Sequence, residues 1–238
     1  MFYLIGIGLN ENGISLEGKE IAASCKKVYL ESFTVSFPYP LKDLEKVIGK
    51  KIISLRRLEV ESKFLVNEAK KQDIALLVYG NPLFATTHIS LLEDCRHEKI
   101  ATKIVYAAGI FDAIAETGLQ LYKFGKIASL PKWDKDFTPK SFLDYVLDNK
   151  KINAHSLILV DIGLEYKDAL IQLKECCIEK NITTEIIVCS RLGTEDSLIL
   201  FGTVEKLMKE KVKEPFCFII PGTLHFLEEQ VSKRYRIE

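Results

Sequence analysis

"IALLVYGNPLFATTHISLLEDCRHE", residues 74–98, is the stretch from which the fold can be read. Residues 74–80 run apolar on successive positions, which describes a strand covered on both faces and therefore a mostly parallel sheet. Gly80-Asn81-Pro82 ends the run in a turn. From His88 to Glu98 apolar residues return at three- and four-residue steps with charges opposite, the pattern of an amphipathic helix. Strand, turn and helix together form half of a βαβ unit.

The same alternation extends in both directions. Residues 2–8, 27–32, 50–54 and 101–108 read as further strands, and 15–25, 39–48 and 58–71 as further helices. A middle stretch, 109–151, carries the single tryptophan, Trp133, and a helix-like segment near its end. A second series follows, with apolar runs at 156–163, 184–193 and 215–222, a helical pattern at 165–180, the mixed run 197–210 and a closing helix at 223–235. The expectation is an α/β protein of two α/β domains with mostly parallel or mixed sheets, 1–108 and 109–238, the division falling between residues 104 and 114.

Composition sets the outer limits. With 47% hydrophobic and 28% charged residues the chain is an ordinary globular protein rather than a disordered one. Lys+Arg and Asp+Glu are both 33, so no overall field points to nucleic acid or an anionic membrane. No apolar run approaches the ~20 residues that span a bilayer, and the first residues lack a basic n-region, so the expected location is cytoplasmic with no membrane contact. The six cysteines form no C-x-x-C pair and lie mostly in apolar or helical segments, which favours buried thiols over disulfides or a metal site.

In open α/β sheets ligands gather at the carboxyl ends of strands. There this chain places Gly6-Ile7-Gly8-Leu9-Asn10, Gly80-Asn81-Pro82, Ala107-Ala108-Gly109-Ile110, Asp161-Ile162-Gly163, Arg191-Leu192-Gly193 and Pro221-Gly222-Thr223-Leu224-His225. Glycine recurs in every one. Because it has no Cβ, it lets backbone approach a ligand, and one ligand seen mainly by main chain accounts for the set. Glycine also ends strands for purely local reasons.

The common motifs are missing. Gly6 and Gly8 begin a G-x-G-x-x-G fingerprint, but Glu11 stands where its third glycine belongs, although Glu31 sits where a ribose-binding acid would. There is no Walker loop, G-x-S-x-G elbow or H-E-x-x-H pair. His88, His97, His155 and His225 are dispersed, and Thr86 and Thr87 before a helix read as capping residues. A reaction that needs little acid–base help suits this inventory.

Several stretches carry a resemblance: "MFYLIGIGL", "VYLESFT", "GNPLFATTH" and "TGLQLYKFGKIASLP", followed by a tryptophan two residues on. They resemble the diphthine synthase family of the tetrapyrrole-methylase-like (class III) S-adenosylmethionine-dependent methyltransferases, in the same order from Met1 through His225. Residues 117–125 are the most specific part. The resemblance implies a homodimer of two-domain chains with the cofactor in the inter-domain cleft. It implies methylation of the amino group of 2-(3-amino-3-carboxypropyl)histidine in translation elongation factor 2, with trimethylation as the outcome in short, archaeal-type members. Eukaryotic members add a methyl ester.

Carried over by position, the cofactor-contacting residues would be Leu9, Asn81, Phe84, Gly109, Ile110, Val160, Leu192 and His225. Two positions depart from the family pattern. Asn81 stands where aspartate is usual, losing a charge that could attract the sulfonium, and Gly109 stands where serine is usual. A sulfonium is an activated methyl donor, so alignment of an uncharged amine and exclusion of water carry most of the catalysis, consistent with the absence of a catalytic triad or metal set. Two other readings stay open at this stage: a methyltransferase of the same class acting on a corrinoid precursor or ribosomal RNA, and a binding module that keeps the cleft without activity.

Overall fold

The computed structural model describes residues 1–180, 182 and 185–238. Thr184, at the start of the predicted strand 184–193, lies outside the described residues. The chain divides into two compact units, Met1–Ile110 and Phe111–Glu238.

The first unit contains, in chain order, β1 (Phe2–Gly6), α1 (Leu16–Ser24), β2 (Lys27–Glu31), α2 (Leu41–Ile48), β3 (Ile52–Leu55), α3 (Arg57–Val60), α4 (Phe64–Ala69), β4 (Ile74–Val78), α5 (Ile89–His97) and β5 (Thr102–Val105). Its five strands form one sheet in the order β3-β2-β4-β1-β5, and every pairing is parallel. Burial explains why β4 has no polar alternation. Ile74, Leu76 and Val78 face a core that includes Leu65, Val66 and Leu91 from α4 and α5. Ala75 and Leu77 face the opposite core with Ala22 of α1 and with Leu44 and Ile48 of α2. Helices on both faces leave no wet side, so each strand position is selected for burial.

Strand order also fixes where a crevice opens. The β1 connection crosses to β2 through α1 on one face, whereas the connection from the neighbouring β4 crosses to β5 through α5 on the other. Adjacent strand ends that send their loops to opposite faces define a topological switch point. Close contact of α1 with the sheet uses Gly18, where a Cβ would lie 2.9 Å from Ile5 Cγ2. This glycine does the helix-packing work that the incomplete fingerprint left unassigned.

The helical pattern of 58–71 is split into α3 and α4. Ser62 explains the break: its hydroxyl donates to the Glu59 carbonyl at 2.8 Å and accepts the Phe64 N–H at 3.1 Å. A serine that offers both bonds locally competes with the helix ladder.

The second unit begins within a one-turn helix, α6 (Ile110–Ala113), and continues with β6 (Ala128–Leu130), α7 (Phe142–Lys151), β7 (Ser156–Val160), α8 (Tyr166–Glu179), β8 (Glu185–Ser190), β9 (Leu198–Thr203), α9 (Val204–Leu207), β10 (Phe216–Ile220) and α10 (Phe226–Ser232). The sheet order is β6-β7-β10-β8-β9. Among the described residues of its strands, only β6 and β7 run parallel; the remaining pairings are antiparallel. The mixed run 197–210 resolves into β9 followed by α9, and β6 is a short strand that periodicity alone does not reveal in the middle stretch. All six cysteines are buried and outside any disulfide, four of them in this unit. No helix among the described residues is long and apolar enough to cross a membrane.

Candidate functional site

Beyond β1 and β4 the two chains remain joined. Ile7 N–H donates to the Val78 carbonyl at 2.9 Å, and Gly80 N–H donates to the Gly8 carbonyl at 2.9 Å. Both glycines are in the left-handed region, with φ of 72° at Gly8 and 70° at Gly80, which only glycine adopts cheaply. Space is equally restrictive. A Cβ on Gly6 would lie 2.6 Å from the Gly80 carbonyl oxygen, and one on Gly8 would lie 2.7 Å from that of Gly13. A Cβ on Gly109 would lie 3.2 Å from Asn81 N. The turns after β1, β4 and β5 therefore meet backbone to backbone, with no room for side chains between them.

This juncture brings together Leu9, Asn81 and Gly109 of the expected set. A Cβ on Gly80 would lie 3.4 Å from Gly109 Cα and 4.0 Å from Leu9 Cδ2, and Leu9 is buried. Tyr79 pins the same loop by donating its phenol to the Leu9 carbonyl at 2.9 Å, and its ring meets Phe37 edge-on at 5.5 Å. Phe84 is half-buried and closes the β4 turn by donating its N–H to the Asn81 carbonyl at 3.3 Å. Ile110, also half-buried, opens α6 beside Gly109. Asn81 Oδ1 accepts the Leu83 N–H at 3.0 Å, an Asx turn that an aspartate would form equally well. The amide thus keeps the turn-building acceptor and changes only the charge.

The second unit treats its expected residues differently. Val160 ends β7, half-buried against the core. Leu192 follows β8 and is buried. Both lie at one edge of the sheet, because Cys217 of β10 is paired with Leu159 on one side and with Cys189 on the other. His225 follows β10, which runs antiparallel to both neighbours, and Ile220 is paired with Ser156 at the start of β7. It therefore sits at the opposite edge. The rule that strand ends share a ligand assumed parallel strands; in this mixed sheet the glycine turn after β10 is separated from those after β7 and β8 by the length of a strand.

At the His225 edge lies a buried polar hub that no motif indicated. Glu228 is 0% exposed and accepts the Gln120 N–H at 3.0 Å, the His225 N–H at 2.7 Å, the Lys123 ammonium and His155 Nε2–H at 3.0 Å. His155, also buried, accepts the Gly222 N–H on Nδ1 at 2.9 Å, which fixes its proton on Nε2. Burial would raise the Glu228 pKa, but Lys123, the backbone N–H groups and His155 outweigh it and hold the carboxyl at about 2. Two of residues 117–125 bind it, Gln120 through its backbone N–H and Lys123 through its ammonium.

Two further groups lie behind the β4 turn. Glu31, at the end of β2, is wholly buried and accepts from Phe33 N, Thr34 N and the Thr34 hydroxyl, so it does not reach a ligand ribose. Thr86 accepts the His88 N–H at 3.3 Å, a local turn one step ahead of α5, rather than capping the helix. His88 is 2% exposed, with Nδ1 3.3 Å from the Pro82 carbonyl oxygen. Among the described residues there is no cluster of three or more His, Cys, Asp or Glu placed to hold a metal.

Comparison with known proteins fits this architecture. The family model for tetrapyrrole (corrin/porphyrin) methylases matches residues 1–208. A diphthine synthase of Methanococcus maripaludis is 34% identical, the match covering 98% of this chain and 98% of that one. The diphthine methyl ester synthase of Schizosaccharomyces pombe is 31% identical, covering 100% of this chain and 95% of the other. A crystal structure of a putative diphthine synthase from Entamoeba histolytica superposes with a TM-score of 0.90 at 29% identity, covering 100% and 99% of the two chains. By sequence and by fold, over essentially its full length, the chain belongs to the tetrapyrrole (corrin/porphyrin) methylases and, within them, to the diphthine synthases.

Proposed function

We propose that this methyltransferase uses S-adenosylmethionine to methylate the amino nitrogen of 2-(3-amino-3-carboxypropyl)histidine in translation elongation factor 2, three times in succession, as a step of diphthamide biosynthesis. The observation that carries this reading is the backbone cradle at the β1/β4 switch point in a chain of this family. Three turns come together there: a Cβ added at Gly6 would lie 2.6 Å from the Gly80 carbonyl oxygen and 3.1 Å from Ala107 N, and one at Gly109 would lie 3.2 Å from Asn81 N. That set of main-chain amides, carbonyls and apolar side chains fits the adenosine part of such a donor, which is flat, uncharged and recognised by shape. The proposed contacts are Leu9, Asn81, Phe84, Gly109, Ile110, Val160, Leu192 and His225.

When bound, the donor supplies an activated methyl group on a sulfonium. The protein then has to hold an uncharged amine in line with that methyl carbon and exclude water. Effective molarities for well-oriented partners correspond to about 7 kcal/mol or more of barrier, so positioning can do much of the work. The family match and the cradle argue for this reading over a cleft without activity; corrinoid and ribosomal RNA acceptors are less consistent with relatives that are diphthine synthases. The enzyme would act in the cytoplasm, as a homodimer and without nucleic acid.

The decisive experiment incubates the protein with S-adenosylmethionine and elongation factor 2 carrying the unmethylated intermediate, then weighs the target histidine peptide. Three added methyl groups are expected. The fission-yeast relative, a diphthine methyl ester synthase, favours a second reading in which a fourth methyl esterifies the carboxylate. Alkali-labile loss of one methyl from the product identifies that outcome, and no added mass overturns both readings.

A further inference from the structure

His88 is a buried ionisable residue with one nitrogen unused. A carbonyl oxygen can only accept, so the 3.3 Å contact with the Pro82 carbonyl places the ring proton on Nδ1. Nε2 is then a bare lone pair, and it has no hydrogen-bond partner among the described residues although it is buried. Leaving such a group unsatisfied in the interior is costly and calls for an explanation. The carboxylates whose charge acts on the ring are Glu31 from the end of β2 and Glu61 just after α3. Burial lowers the imidazole pKa, while Glu31, the Pro82 bond and Glu61 pull it up, so the ring is neutral at rest yet has negative charge nearby to receive a proton.

Repeated methylation of one amine creates a need that a single transfer does not. In each transfer the amine lone pair forms the new N–CH3 bond as the S–CH3 bond breaks and its electrons stay on sulfur. The product is an ammonium. It must lose a proton, with the N–H electrons returning to nitrogen, before it can attack again. Asn81 is no base, and the Glu31 carboxylate is already committed to three donors.

We propose that His88 is the proton acceptor between successive methyl transfers: Nε2 takes the proton of the methylated ammonium through one bridging water and releases it to solvent. This rests on the reading that the chain methylates one amine repeatedly. A ring so deeply buried acts through water rather than by touching the amine, and its bond to Pro82 ties it to the turn bearing Asn81.

The test separates proton transfer from support of the turn. In His88→Asn the amide keeps an N–H donor at the Nδ1 position toward Pro82 and loses the base. This variant should bind S-adenosylmethionine like the parent and complete the first transfer. It should then accumulate mono- and dimethyl product, with later transfers slowed about 100-fold, the low end of what a general base supplies. Raising the pH should restore trimethylation. In the free parent protein, ring nitrogen NMR should show a protonated Nδ1 and a bare Nε2, a readout independent of turnover and of whether the variant folds. An Nε2–H tautomer, trimethylation at the parental rate in His88→Asn, or equal slowing of all three transfers would each overturn the proposal. If the parent enzyme adds no methyl at all, the functional reading fails first and is recognised as such.

Discussion

The two units solve the same problem, holding loops at the end of a sheet, with different materials. In the first, a wholly parallel sheet delivers the turns after β1, β4 and β5 to one edge, where they are joined by main chain and glycine. In the second, antiparallel pairing sends the turn after β10 to the opposite edge from those after β7 and β8, and that edge is held by a buried carboxylate with four donors. A backbone juncture is rigid and uncharged, and so suits a site recognised by shape. The charged hub locks segments together at a cost in desolvation that only complete pairing offsets.

The largest expected effect breaks the hub. Glu228→Ala leaves Lys123 and His155 facing a buried vacancy of charge, and should cost about 3–5 kcal/mol in urea unfolding. The pH dependence follows from the sign of the shift. Because folding lowers the Glu228 pKa from an ordinary 4.5 to about 2, its contribution is present above pH 4.5 and is lost as the pH falls through that window. Glu228→Gln should flatten the stability profile there. An unchanged acid limb would show that the hub does not hold the second unit together.

Next comes the backbone juncture. Gly8→Ala forces a Cβ to 2.7 Å from the Gly13 carbonyl oxygen at φ 72°, and should cost about 2 kcal/mol with a matching loss of S-adenosylmethionine affinity by calorimetry. Gly163 in the second unit has a similar φ of 71° but open space around it. Gly163→Ala should therefore cost only about 1 kcal/mol and spare binding. Equal effects at the two glycines would erase the distinction between the junctures.

His225→Ala probes the edge that the mixed sheet sets apart. Its imidazole caps α10 through a long 3.5 Å bond to Leu227 N–H, so the stability cost should be about 0.5 kcal/mol. A contact with the cofactor predicts an affinity loss of about threefold, the value of one modest hydrogen bond. Unaltered affinity would remove His225 from the proposed set. The smallest effect belongs to Asn81→Asp. Since either side chain makes the Asx turn to Leu83, stability should move by no more than about 0.5 kcal/mol, while the added charge tightens cofactor binding in low salt.

Particular residues show how far the chain could be read directly. The apolar run of β4 and the turn at Gly80 were legible because burial on both faces and a glycine stop are local patterns. The split at Ser62 was not, since a competing pair of hydrogen bonds looks in sequence like any surface serine. Glu31 held the position of a ribose acid, yet its carboxylate is taken up by its own following turn. Nothing near His88 or Glu228 signals that each will be buried, because their partners Pro82, Gln120, Lys123 and His155 are assigned by folding. Glu228 alone joins residues 108 and 105 positions away.

By itself the sequence determined the α/β class, the strand and helix alternation, the glycine-rich turns and the family. These are written in periodicity and short motifs, and they need no knowledge of which strand lies beside which. Only the tertiary structure decided strand order and direction, and through them which turns meet at one edge, where His225 goes, and which nitrogen of His88 is left bare. Strand pairing depends on contacts between residues distant in the chain, whereas a local pattern records only that a residue will be buried, not what it will face.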